Sequence, residues 1–259
     1  MSSLFYHLTA FDLRTLTLDI GNTAVKYGCF EAAVLQETAT SQVKDQLLAA
    51  IRRLQPHHAV VSSVAEPTTE WAAVLRKELR GTVLEFNPAT TPLPLHNAYA
   101  TPHTLGADRL AAAVGAAWLR PGHDTLIVDA GTAIKCDLVE GGHTFWGGSI
   151  APGLSMRFRA LHAFTGRLPL AGMPEDITAA VPLIGNDTLS AIRSGVLNGT
   201  VAEVNSFIAS YQQRYPALGV ILAGGDAPFF QPRLKGRIFG IPELVLIGLH
   251  RILAYNVEL

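Results

Sequence analysis

The sequence predicts an α/β protein built of two similar lobes, and three observations carry that prediction. One short pattern occurs twice. Leu16-Thr17-Leu18-Asp19-Ile20-Gly21-Asn22-Thr23-Ala24-Val25-Lys26 returns as Leu126-Ile127-Val128-Asp129-Ala130-Gly131-Thr132-Ala133-Ile134-Lys135 once a single residue is dropped. Strand patterns also come first, and helical ones after, in each half. Finally, 259 residues at 49% hydrophobic and 16% charged suffice for two ordinary domains with packed cores. The lobes are expected to span 14–118 and 119–259, with a nucleotide cleft between them.

Each copy of the repeat is an apolar run, an acid, a glycine, small polar residues and a second apolar run, which reads as strand, tight turn and returning strand. The first half stays strand-rich to about residue 37, and 42–54 is helical. The run 57–64 (HHAVVSSV) reads as a buried strand. Trp71, Val74, Leu75 and Leu79 mark an amphipathic helix over 68–79, and 82–86 is a short strand. Residues 88–102 hold four prolines without a period, as a long ordered loop or lid does. Gly106-Ala107-Asp108-Arg109 opens an Ala-rich helix to Trp118. The repeat strand begins the second half at Thr125, followed by a hairpin through Glu140–His143 and a Gly-rich segment, Trp146 to Gly153. A helix is predicted over 154–164, a long helix or a helix pair over 188–215, a buried strand over 220–223, and an amphipathic helix over 244–255.

Composition removes several classes of function. Twenty basic and twenty-one acidic residues leave a net charge of -1, without the basic excess of a nucleic-acid binder. No apolar run reaches the ~18 residues of a membrane helix, and the start lacks a basic segment followed by a long apolar one. The expectation is a cytoplasmic protein with no nucleic-acid or membrane partner. Cys29 and Cys136 are read as small core residues in a reducing compartment. The nine histidines show no metal-site spacing, and neither a nucleophile elbow nor a P-loop is present.

What remains for chemistry lies at the turns. Successive N–H groups around Gly21, Asn22 and Thr23 can cup phosphate oxygens, with Lys26 adding positive charge. Asp19 would repel phosphate directly, so it acts through Mg²⁺ or its waters. One such turn would read as an ordinary hairpin; the second copy favours a phosphate site. In that copy Thr132 offers a hydroxyl and Asp129 offers oxygens to a cation. Gly224-Gly225 would allow a base or ribose to pack on backbone, but a Gly-Gly pair alone is weak evidence and a plain strand-to-helix turn is the better reading. Asp108 reads either as a helix cap or as a base that accepts a proton from a substrate hydroxyl, and the two are compatible. Arg109 either grips a carboxylate or phosphate in bidentate fashion or makes a structural salt bridge.

Together these motifs resemble the type III pantothenate kinases. Asp19–Lys26 (DIGNTAVK), GADR at 106–109, DAGTA at 129–133 with Asp137, GGSIAPG at 147–153, Leu168-Pro169, NDTLSAIRSG at 186–195 and Gly224-Gly225-Asp226 occur in that family's order. The resemblance runs from about Leu16 to the C-terminus. It implies two duplicated ribonuclease-H-like lobes of the acetate and sugar kinase, heat-shock ATPase and actin-like kind, usually as a homodimer. It implies transfer of the ATP γ-phosphoryl group to the 4′-hydroxyl of pantothenate, the first step of coenzyme A synthesis. Residue by residue, Asp19, Ile20, Gly21, Asn22, Thr23, Ala24, Val25 and Lys26 become the ATP-phosphate segment, and Thr132 touches ATP. Asp108 becomes the proton acceptor. Tyr99, Gly106, Ala107, Asp108 and Arg109 contact pantothenate, with Arg109 suited to its carboxylate. Thr188 reaches pantothenate across the dimer interface, and Asp129 holds K⁺ or NH₄⁺.

The chain departs from the family at Lys135 and Cys136, where the family more often has a small residue such as Thr and an apolar or aromatic one. A second lysine beside the phosphates would partly replace cation charge. Residues 1–14 precede the family's usual start, and Arg157, Arg159, His162 and Arg167 receive no assigned role. The rival readings are a kinase for another small hydroxylated or carboxylated substrate, and a non-catalytic transcription accessory factor of the same fold.

Overall fold

The computed structural model describes residues 14–21, 24–41, 43–64 and 67–257. Its contacts divide the chain into two units: one runs to Leu119 and resumes at Glu243, and the other is Arg120–Pro242.

In the first unit, the apolar run of the first repeat becomes β1 (Arg14–Ile20), and β2 (Val25–Glu31) and β3 (Val34–Ser41) follow as an antiparallel meander. β1 is buried on both faces, with Leu16, Leu18 and Thr17 fully buried, as a central strand requires. β3 alternates and is largely exposed, as an edge strand is, and it pairs with β2 as far as Ser41. Helix α1 (Lys44–Leu54) buries Leu47, Ile51 and Leu54, one stripe at helical spacing, and ends where Gln55 turns left-handed at φ 47°. β4 (His58–Ser63) then lies parallel to β1, helix α2 (Thr69–Glu78) buries Trp71 and Leu75, and β5 (Val83–Glu85) lies parallel to β4. The sheet order is β3-β2-β1-β4-β5. The following loop contains a two-residue strand, β6 (His96–Asn97), and a 3₁₀ turn at Pro102–Thr104 before helix α3 (Ala107–Leu119).

The second unit repeats this plan. β7 (Thr125–Ala130), β8 (Ala133–Glu140) and β9 (Thr144–Pro152) form an antiparallel meander, and β10 (Gly219–Ala223) and β11 (Ile238–Gly240) add parallel strands beyond β7. Its strands run β11-β10-β7-β8-β9, the mirror listing of the first unit. Helix α4 (Leu154–Ala163) follows the meander. The region expected as a long helix or a helix pair is one helical run, α5 (Thr188–Arg193) and α6 (Gly199–Arg214), joined by a π turn at Ser194–Asn198. A short helix, α7 (Ala227–Phe230), follows β10.

The last helix, α8 (Leu244–Val257), packs against α3 and β1 in the first unit, so a single division at 118/119 does not describe the chain. It was expected to be amphipathic, yet Leu246, Gly248, Leu249, His250, Ile252 and Leu253 are all buried, which is more than one stripe. The physical reason lies in glycines. A Cβ on Gly248 would stand 1.7 Å from the Ala111 carbonyl oxygen, and one on Gly115 would stand 2.5 Å from that of Leu244. The Ala-rich face of α3 and Gly248 let the two backbones touch, so flanks that a wider helix pair would leave wet are covered.

Candidate active site

The first unit places its candidate residues at strand ends and at the start of α3. Asp19 sits one residue from the end of β1, paired in register with Lys26 on β2 and with Ser62 on β4. Ser62 is fully buried, and its hydroxyl makes no hydrogen bond among the described residues. The amide of Gly21 donates to the Ala24 carbonyl at 3.1 Å, so this N–H closes the turn and is not open to cup a phosphate as expected. Asn22 and Thr23, expected to complete that cradle, lie outside the described residues. Ile20 is buried, whereas Ala24 and Val25 are half-buried and Lys26 is exposed.

A cleft of about 610 Å³ opens at the carboxyl ends of β4 and β5, where α/β sheets commonly bind ligands. Ser63, Glu85, Asn87, His103, Gly106 and Ala107 are among its lining residues. Composition offered no signal for Ser63, Glu85 or His103, because each belongs to a strand end or loop with no motif of its own.

Asp108 lies in the first turn of α3, inside the helix and not at its cap. Its Oδ1 accepts a 2.9 Å hydrogen bond from the Arg109 amide, and the positive end of the helix dipole favours a negative charge there. Gly106 makes room for this carboxylate: a Cβ on it would stand 2.6 Å from Asp108 Oδ1. Arg109 is 5% exposed, with its guanidinium carbon 5.3 Å from the centre of the Tyr99 ring and Nη1 3.5 Å from the Tyr99 hydroxyl. Tyr99 is oriented by its own amide, which donates to Asn97 Oδ1 at 3.1 Å. Gly106, Ala107, Asp108, Arg109 and Tyr99 therefore form one group, with a carboxylate beside a buried cation.

The second unit holds Asp129, Thr132 and Thr188. Asp129 and Lys135 face each other in register across β7 and β8, the same pairing as Asp19 and Lys26 in the first copy. Here the side chains meet, with Lys135 Nζ 2.6 Å from Asp129 Oδ2. Thr132 is exposed at the tip of a turn closed by the Gly131 amide on the Ala133 carbonyl at 3.2 Å. Gly224 takes φ 91°, and a Cβ there would stand 2.3 Å from the Ala130 carbonyl oxygen and 2.6 Å from Asp129 Oδ1. Its smallness thus serves close packing on the repeat turn. Asp226 follows, its carboxyl raised above the usual range by burial. Thr188 is exposed at the first position of α5, behind a capping box formed by Asp187 and Ser190.

The residues left without a role acquire structural ones in part. Arg157 bonds the Pro152 carbonyl and pairs with Glu203 at 2.8 Å, and His162 Nδ1 lies 2.8 Å from the Leu168 carbonyl. Both cysteines are free and buried; burial raises the Cys29 thiol and pushes Cys136 up to about 12, which suits inert core groups. Among the described residues, no helix is long and apolar enough to cross a membrane, and no three His, Cys, Asp or Glu side chains cluster as a metal site.

Comparison with known proteins shows the family and the fold. The family model described as type III pantothenate kinase matches residues 15–210. A type III pantothenate kinase of Cytophaga hutchinsonii is 43% identical over 242 residues, covering 93% of this chain and 99% of that protein. Among solved structures, one assigned to the Baf family of transcriptional activators, from Campylobacter jejuni, has a TM-score of 0.61 at 20% identity, over 94% of this chain and 100% of that one. The ROK hexokinase of Thermus thermophilus has a TM-score of 0.50 at 13% identity, over 95% and 100%. At such identities the two structures speak for the fold, which is the duplicated ribonuclease-H-like one of the actin-like kinases.

Proposed function

The chain belongs to the type III pantothenate kinase family, and from that premise we propose that it transfers the γ-phosphoryl group of ATP to the 4′-hydroxyl of pantothenate in the cytoplasm. The observation that carries the reading is the group at the start of α3, a fixed carboxylate beside a buried guanidinium. Pantothenate offers one partner for each: a hydroxyl that must lose a proton and a carboxylate that must be held.

Asp108 accepts the hydroxyl proton as the substrate oxygen bonds to the γ-phosphorus and the bond to ADP breaks. Its carboxylate is already oriented by the Arg109 amide, so little reorganisation is left for the reaction. Arg109 grips the pantothenate carboxylate. Its contact with Tyr99 holds the guanidinium plane in place before substrate arrives, which suits bidentate recognition. Gly106 and Ala107 line the adjoining cleft. The turns at Asp19–Lys26 and at Asp129–Thr132 serve the ATP phosphates. An acid near the end of β1 suits Mg²⁺, which is commonly held by one or two carboxylates and the substrate phosphates. Bound there, Mg²⁺ supplies neutralisation of the phosphate charge.

The resemblance also implies a homodimer in which Thr188 reaches the partner's pantothenate. Leu183 and Ile184, 81% and 84% exposed, lie just before Thr188 and support burial of this segment by a second copy. The test is a coupled assay of ADP release with purified protein. Pantothenate-dependent turnover is expected; ADP released with a sugar and not with pantothenate would sink the proposal. A fully active monomer on gel filtration would remove Thr188 from the site.

A further inference from the structure

Family resemblance places a monovalent cation against Asp129, and the surroundings of this carboxylate do not fit one. Lys135 Nζ lies 2.6 Å from Oδ2, with the two side chains only 15% and 16% exposed. A potassium ion bound to this carboxylate would therefore share it with an ammonium already 2.6 Å from one of its oxygens and largely withdrawn from solvent. Two like charges in such a poorly hydrated place repel strongly. Lys26 occupies the equivalent register in the first copy and is exposed, so the inward-packed ammonium is particular to the second turn.

We infer that Lys135 is a tethered ammonium that stands in for the monovalent cation, which makes nucleotide binding by this protein independent of K⁺ and NH₄⁺. An ammonium carries the same single positive charge as the monovalent cation and is held at the carboxylate that the cation would occupy. Being attached to β8, it is always present and owes nothing to salt composition. The inference rests on the proposal that the Asp129–Thr132 turn serves the ATP phosphates.

Calorimetry with the slowly hydrolysed analogue AMP-PNP tests it in buffers whose cation is tetramethylammonium, K⁺ or NH₄⁺ at equal ionic strength. The wild-type dissociation constant should change by less than about twofold between them. Tightening by about tenfold or more in K⁺ or NH₄⁺, worth one factor of ten in binding, would overturn the inference. Lys135→Thr should bind at least about tenfold more weakly in tetramethylammonium and recover much of that loss in K⁺ or NH₄⁺. A folded Lys135→Thr protein with unchanged affinity in every buffer would overturn it too. If that variant does not fold by circular dichroism, the wild-type salt series decides. Salt-independent AMP-PNP binding without pantothenate-dependent ADP release would overturn the proposed reaction and leave Lys135 its role. Potassium-dependent binding with normal turnover would do the reverse.

Discussion

At the scale of single residues, the arrangement around α3 separates positioning from chemistry. Asp108 is held by a backbone amide and by the helix terminus, neither of which a conservative substitution disturbs. Asp108→Asn should therefore keep the fold and lower kcat by about a hundred- to ten-thousandfold, with the KM for pantothenate little changed. Steady-state kinetics checks this, and full turnover in the variant would exclude the base role. His250 gives a prediction of a different kind. It is 1% exposed, stacked on Phe30 at 4.2 Å, with Nδ1 2.9 Å from Thr15 Oγ1. Burial first, and then the charge of Arg251, bring it from the ordinary 6.5 down to about 4. The unfolded chain then binds a proton that the folded one refuses, so stability is complete above 6.5 and is lost as pH falls toward 4. The loss is on the order of 3 kcal/mol. Urea denaturation at a series of pH values should show this slope, and His250→Gln should flatten that part of it.

At the scale of elements, the contact between α3 and α8 depends on backbone proximity. Filling the gap at Gly248 forces the helices apart, since a Cβ would stand 1.7 Å from the Ala111 oxygen. Gly248→Ala is expected to destabilise by about 1–3 kcal/mol despite its better helix propensity. Thermal melting measures it, and a raised melting temperature would contradict the packing argument. α3 also carries Asp108, one turn before Ala111, so the same variant should shift the pantothenate KM along with stability. The repeat turns show why equivalent patterns take different local structure. Both copies pair acid with lysine across the hairpin, but only in the second does the ammonium meet the acid, at 2.6 Å.

At the scale of the whole molecule, the chain returns to its first unit to finish it. α8 contributes Leu246, Leu249, Ile252 and Leu253 to the core there. A chain ended after Pro242 should lose the first unit and keep the second. Limited proteolysis should then cut early within residues 14–119 while Arg120–Pro242 survives, and equal protection of both units would refute this division. The loss of the Asp108–Arg109 group proposed to bind pantothenate follows, because α3 would be left without the helix that covers it.

Much of this was legible without coordinates because it is local. The strands of both repeats, α1, α2, α3 and α4 follow from apolar periods and turn residues within short windows, and the order of motifs named the family. Asp19 and Asp129 at strand ends, and Asp108 at a helix start, were evident for the same reason. What tertiary structure decided depends either on residues far apart in sequence or on which nearby donors are already engaged. The docking of α8 on α3 rests on Gly248 against Ala111, and the closeness of Gly224 to Asp129 joins strands nearly a hundred residues apart. Arg109 lying on Tyr99 depends on the path of a proline-rich loop. The engagement of the Gly21 amide by Ala24, and of Asp129 by Lys135, hung on which donors the turns left open. A one-dimensional pattern states which groups are available. Packing and burial decide which of them are already spoken for.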